Sequence, residues 1–169
     1  MTKTKKICKE NIGRYELEIA RSGCCDSLKK LHFTENAEFF NIEYDDSVPD
    51  DLDEILSMGS HEMFDSYRLL LKSLREICKS VVRIEDYLIP ACHISLDPEE
   101  IAFTEGRAVL RFNESPKETE EAIIVLLNTI FSKHPETHAD FLISSLPKHC
   151  DAASLCRSLT SMEIDLRNM

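Results

Sequence analysis

Tryptophan is missing from this 169-residue chain and glycine nearly so, with four residues at positions 13, 23, 59 and 106. So small a supply leaves no glycine-rich loop of the kind that wraps phosphates before the first strands. Positive charge is also scarce: 20 Lys and Arg stand against 31 Asp and Glu, a net charge of −11. That balance repels nucleic-acid phosphates and anionic membrane surfaces as main partners, although acidity also simply favours solubility. No apolar run is long enough to span a bilayer, and no signal-peptide core follows the basic start at Lys3, Lys5 and Lys6. The seven cysteines (8, 24, 25, 78, 92, 150 and 156) are odd in number and contain no Cys-x-x-Cys pair. Adjacent Cys24 and Cys25 are poorly placed for a mutual disulfide, so the expectation is reduced thiols in a cytoplasmic chain.

What is present is ordinary for one globular domain: 43% apolar and 30% charged residues, with a length sufficient for a proper core. Residues 1–10 read as a flexible basic lead-in and residues 11–169 as a single domain. Tyr15-Glu16-Leu17-Glu18-Ile19 alternates apolar and charged, which predicts a strand, and Ser22-Gly23 a turn. A second strand is expected over 38–44, with Phe40, Ile42 and Tyr44 on one face. An acidic loop follows, then a short helix from Asp51 to Met58 with carboxylates in its first turn. The strongest element is a helix over about 61–88. Met63, Tyr67, Leu70, Leu71, Leu74, Ile77, Cys78, Val81, Ile84 and Leu88 recur at spacings of three and four, leaving Lys72, Arg75, Glu76 and Lys79 mostly outside. After Pro90 the pattern predicts an extended His93–Leu96, a bend at Asp97-Pro98-Glu99-Glu100 and a hairpin. Helices are then expected over 118–131, 138–146 (closed by Pro147) and 151–165.

The segment His93-Ile94-Ser95-Leu96-Asp97-Pro98-Glu99-Glu100-Ile101-Ala102-Phe103 resembles the catalytic loop of protein kinases, His-Arg-Asp-Leu-Lys-Pro-Glu-Asn-Ile and two apolar residues. His93, Leu96, Pro98, Glu99 and Ile101 match. Ser95 stands at the catalytic aspartate and Glu100 at the metal-binding asparagine, so the scaffold is kept and the reactive groups are not. Phe39–Asp45 resembles the strand and hinge between kinase lobes, and Asp51–Leu56 the first small helix of the large lobe. No lysine sits in a Val-Ala-Ile-Lys strand, and Arg111-Phe112-Asn113, where the Asp-Phe-Gly motif would fall, has no acid. The likeness runs over about 38–113, and the chain is too short for two lobes.

A closer resemblance lies within this degenerate group. Glu43-Tyr44-Asp45, Tyr87-Leu88 and Leu96-Asp97-Pro98-Glu99-Glu100-Ile101-Ala102-Phe103 are similar to a Gram-positive bacterial domain of unknown function. That domain is often found N-terminal to forkhead-associated domains and is itself similar to the pseudokinase-like cytoplasmic domain of a type VII secretion component. Asp140–Leu146 and Ser154–Leu159 also fit, less specifically. The resemblance implies an α+β fold: a helical domain like the kinase large lobe, with a small N-terminal antiparallel strand layer and a β-hairpin. It implies no catalytic residue, the positions His93, Ser95, Glu100 and Phe112 being degenerate, and it gives His93 a structural hydrogen bond.

Other clusters read more plainly. The acids from Glu43 to Glu54 break the alternation of a calcium loop, since Asp50 stands where its glycine belongs. They read as a solvated loop, or, if functional, as a patch for a basic partner at Asp45, Asp46, Asp50, Asp51 and Asp53. His134, His138, His149 and Cys150, or Cys92-His93, lack the spacing of a four-ligand zinc site. Adjacent Cys92 and His93 would point to opposite faces of a strand, which separates a thiol from its base. Cys78 and Cys156 read as small core residues. The sequence therefore predicts a non-catalytic cytoplasmic adaptor or regulatory domain that binds a protein, with no cofactor, no metal, no nucleic acid and no membrane insertion. Two rivals stand beside it: a small acidic secretion chaperone, and a divergent kinase-like transferase using a relocated acid at Asp97 or Glu100.

Overall fold

A computed structural model of the chain describes residues 4–45, 50–58, 63–146 and 151–169, apart from the side chains of residues 50, 63 and 64. In chain order its elements are strand β1 (Thr4–Cys8), helix α1 (Arg14–Ser22), strands β2 (Leu31–Glu35), β3 (Phe39–Tyr44) and β4 (Asp50–Asp51), and helices α2 (Leu52–Ser57) and α3 (Met63–Glu85). Strands β5 (Ala102–Thr104) and β6 (Arg107–Val109) follow, then helices α4 (Thr119–Lys133), α5 (Ala139–Ser145) and α6 (Ala152–Arg167). The fold is α+β.

One antiparallel sheet has the order β1-β3-β2. Its central strand turns Phe40, Ile42 and Tyr44 inward, as the alternation predicts. Ile7 of β1 lies opposite Phe40, and Leu31 of β2 opposite Tyr44. Within the expected loose lead-in, the described part is ordered: Thr4–Cys8 is an edge strand, with Ile7 fully buried. Lys5 shares its inward face, and the physical reason is that a carboxylate waits there.

The stretch around Tyr15–Ile19 is a helix, not the strand its alternation predicts. Five residues of alternation cannot separate the two periods, and local chemistry decides. The Gly13 N–H donates to the Glu16 Oε2 at 2.6 Å, closing the first turn. Gly23, at φ 70°, ends the helix in the left-handed conformation that glycine adopts without strain. Between these ends Glu16, Leu17 and Ala20 face inward.

Helix α3 organises the rest. Leu70, Leu71, Leu74, Ile77, Cys78, Val81 and Ile84 are all buried, as expected from their spacing. Leu88 departs from that pattern: it is 81% exposed at φ 63°, because the helix has already ended at Glu85 and the chain is turning. Ser66, Ser73 and Ser80 are buried along one edge of the helix, and Ser80 donates from Oγ to the Ala108 carbonyl at 2.6 Å. That bond seats the second sheet, β4-β5-β6, whose β5–β6 hairpin turns through Glu105 (φ 52°) and Gly106 (φ 77°). On its other edge α3 packs against α6 through Ala152, Leu155 and Leu159 of the latter. Arg75 there pairs with the buried Glu163, which Arg167 also holds at 2.7 Å. Helix α4 adds Ile123, Leu126, Leu127 and Ile130, and α5 adds Ala139 and Leu142, to one continuous core. The cap expected at Asp151 is present: its Oδ1 accepts from the Ser154 N–H at 2.7 Å. The expected helix stop at Pro147 lies outside the described residues.

Because β1 is integral, Ile7→Ala should destabilise the chain by about 3 kcal/mol. Urea unfolding followed by far-UV circular dichroism checks it; a loose lead-in would give no shift in the midpoint.

Candidate functional site

The loop from His93 to Phe103 is built by two flanking segments that hold each other. Pro90 starts a single 3₁₀ turn over Ala91–His93, after which Ile94 bridges Phe112 in antiparallel fashion. The Ser95 N–H donates to the Arg111 carbonyl and the Asn113 N–H to the His93 carbonyl, each at 2.8 Å. Asn113 adds a side-chain bond from Nδ2 to the Ile94 carbonyl at 2.8 Å. Asp97-Pro98-Glu99-Glu100 is a bend as expected: the Glu99 N–H reaches Asp97 Oδ1 at 3.0 Å and the Glu100 N–H the Asp97 carbonyl at 2.9 Å.

Each of the positions singled out in the sequence, His93, Ser95, Glu100 and Phe112, has a structural occupation. His93 is not extended but sits in the 3₁₀ turn, so the strand argument separating it from Cys92 does not apply. Its Nδ1 lies 2.7 Å from Glu16 Oε1, a carboxylate only 2% exposed. The expected structural hydrogen bond of His93 therefore exists, with α1 as its partner. Ser95 is buried and its Oγ accepts from the Asp97 N–H at 3.3 Å. Phe112 is fully buried, and its backbone N–H donates to the Tyr44 hydroxyl at 3.0 Å. Burial pushes the Tyr44 phenol well up, and the Arg111 guanidinium lies over its ring at 4.7 Å.

Glu100 is the most informative of the four. Lys5 from β1 puts its Nζ at 2.8 and 3.1 Å from the two carboxylate oxygens, and at 2.8 Å from the Phe112 carbonyl. One side chain of the first sheet thus spends its ammonium donors on the loop and on the segment after β6. Burial opposes the charge on Glu100, but hydrogen bonds from Lys5 and Ser95 and the fields of Lys5 and Arg111 prevail and hold its carboxyl below the ordinary value.

Between this loop and α4 lies an open cleft of about 680 Å³. Its walls carry both signs of charge: Lys5, Lys117 and Lys133 against Asp97, Glu99 and Glu114. Such mixed walls offer hydrogen bonds but no concentrated field for a polyanion. Among the described residues no three His, Cys, Asp or Glu side chains come together as metal ligands do. His134 bonds Asp53 through Nε2 at 3.1 Å and Glu136 through Nδ1 at 3.2 Å, His138 lies beside Phe141, and His149 and Cys150 lie outside the described residues.

The acidic set is dispersed into local tasks. Asp45 faces His32 at 3.4 Å, and Asp51 caps α2 by accepting from the Glu54 N–H at 2.8 Å. Asp53 joins α2 to the end of α4: burial works against its charge, yet bonds from His134 and Lys133 hold its carboxyl below the usual range. Asp46 and the Asp50 side chain lie outside the described residues, and the Asp50 backbone pairs with Phe103. Lys5, Glu16, Tyr44 and Arg111 were not among the sequence candidates for the site. Lys5 had one available signal, its two-residue offset from Ile7 on a strand face.

No protein-family model matches the chain, and no curated protein matches it. Among solved structures it is similar to the cytoplasmic fragment of ESSB from Staphylococcus aureus, at 15% identity and a TM-score of 0.44, over 98% of this chain and 95% of that one.

Lys5→Met leaves the part-buried Glu100 without its cation and should cost about 2 kcal/mol at neutral pH. A folded-state carboxyl lowered from 4.5 stabilises above that value, and the contribution disappears as pH falls through the lowered pKa. The stability difference between the native chain and Glu100→Gln should therefore shrink between about pH 6 and about pH 3. Urea titrations across that range check it; a difference constant with pH would remove Glu100 ionisation as a source of stability.

Proposed function

We propose that this chain is a non-catalytic protein-interaction domain, a kinase-like lobe whose former reaction centre has become part of its frame. The observation that carries the reading is the Lys5–Glu100 pair. A carboxylate at the position of the kinase metal-binding asparagine is neutralised by an internal ammonium, itself fixed to the Phe112 carbonyl. An outside cation would have to displace Lys5 and leave that ammonium uncompensated, which is costly at a part-buried site. Ser95 offers a buried hydroxyl where phosphoryl transfer uses an acid that accepts the substrate proton. His93 is committed to Glu16.

The divergent-transferase reading has little to work with. Asp97 spends its Oδ1 on the Glu99 N–H, and Glu100 is held by Lys5. Among the described residues no helix is long and apolar enough to cross a membrane. The setting we propose, on the sequence likeness to the type VII secretion component, is a regulatory or adaptor role in protein export from a Gram-positive bacterium, on the cytoplasmic side.

Isothermal titration with Mg-ATP should show no saturable heat, and Ser95→Asp should not acquire phosphoryl transfer to a generic acceptor protein. Saturable Mg-ATP binding by the native chain together with transfer of radiolabelled phosphate would overturn the proposal. Binding alone would restrict it to a nucleotide-regulated adaptor.

A further inference from the structure

Helix α6 carries two stripes. Ala152, Leu155 and Leu159 are buried against α3, as described above. A second stripe, Ala153, Cys156, Thr160 and Ile164, recurs at spacings of three and four on the adjoining face and runs beside Val82 of α3. Between the two helices it forms an open apolar groove of about 660 Å³. Ile164, which lines it, is 51% exposed, a large aliphatic side chain left to water. The stripe covers about three helical turns, roughly 16 Å, which is elongated for a small ligand and suited to a helix.

The rim is cationic. Lys79, Arg83 and Arg157 border the groove and no carboxylate lines it, in a chain of net charge −11. Lys79 is partly engaged with Glu76 at 2.9 Å, and Arg157 bonds the neutral Ser154 hydroxyl at 3.0 Å while its field also reaches the Asp151 carboxylate at the start of α6. Arg83 has no ion-pair partner among the described residues. We propose that this groove docks an amphipathic helix with acidic flanks from a partner protein, its apolar face on Val82, Cys156 and Ile164 and its carboxylates on Arg83 and Arg157. This inference rests on the protein-binding reading and gives that reading a place and a partner chemistry. A second copy of this acidic chain would meet its own excess charge, and an anionic bilayer would meet the same field.

The test uses the full chain and a fluorescein-labelled 16-residue helical peptide of leucines and glutamates, followed by fluorescence anisotropy. Saturable binding is expected, weakened at least about tenfold by Arg83→Glu combined with Arg157→Glu at unchanged thermal midpoint. Both cations are exposed, so the fold should tolerate the exchange; Ile164→Ser, which changes no charge, should weaken binding as well. Lys117→Glu in the cleft beside α4 should leave it unchanged. No saturable binding, or equal binding by the double variant, overturns the proposal. So does an affinity lost with Lys117→Glu but kept in the Arg83 and Arg157 variants, which relocates the surface while leaving the protein-binding function standing. Co-sedimentation with phosphatidylglycerol vesicles, or a dimer by light scattering that Arg83→Glu dissolves, would assign the groove to a membrane or to a second copy and would equally sink it.

Discussion

Burial of α3 is the constraint to which the other elements answer. Its inward residues, from Ser66 to Ile84, spread over about half the helix circumference, far wider than one neighbour can cover. Three different surfaces are therefore needed. The leucine and isoleucine centre takes the core of α4 and α5, the edge nearest α6 takes that helix, and the serine edge lets the β5–β6 hairpin come close. Ser80 shows why the third edge is made of small polar residues. A larger side chain would hold the hairpin away, while an alanine would leave the Ala108 carbonyl without its donor in a dry setting. The hairpin so placed fixes the height of Phe112, and with it the loop that begins at His93.

That loop is then tied from the opposite side by residues far away in sequence. Glu16 from α1 holds His93, Tyr44 from β3 holds the Phe112 N–H, and Lys5 from β1 holds both Glu100 and the Phe112 carbonyl. Each tie uses a polar group that would be expensive to bury alone, and each is satisfied by one from the other side. The small first sheet and α1 thus act as a clamp on the segment from His93 to Phe112.

The helical half of the fold was legible because its signals are local and repeated. Seven buried positions of α3 announce themselves by spacing, and Asp51 and Asp151 announce helix starts by cap chemistry. The small first sheet was half legible: β3 shows its alternation, but β1 does not, since Lys5 on an inward face looks wrong until Glu100 is placed opposite it. The same limit explains α1. Tyr15–Ile19 satisfies a period of two over five residues, and only the reciprocal bond from Gly13 to Glu16 settles the matter. For the loop, sequence singled out the positions but not their partners, because an ion pair spanning ninety-five positions leaves no trace in local pattern. The acidic segment misled in another way. Read as a patch, Asp51 and Asp53 are a helix cap and an inter-helix tie, tasks that depend on what stands nearby in space.

Charge asymmetry ties the frame to its use. A chain carrying −11 should discourage acidic partners at long range, yet the charged residues lining the α3–α6 groove are Lys79, Arg83 and Arg157. The two facts are compatible because distance selects between them. At physiological ionic strength the screening length is about 8 Å, so carboxylates on remote faces contribute little to a helix already seated in the groove. Arg83 and Arg157 act within that range, on carboxylates partly desolvated by the contact. The net charge then works as a filter on approach: polyanions and membranes, which offer charge without an apolar stripe, are turned away. An amphipathic helix gains the burial of Ile164 and its neighbours in addition to the ion pairs, and it is the combination of the two that exceeds the repulsion.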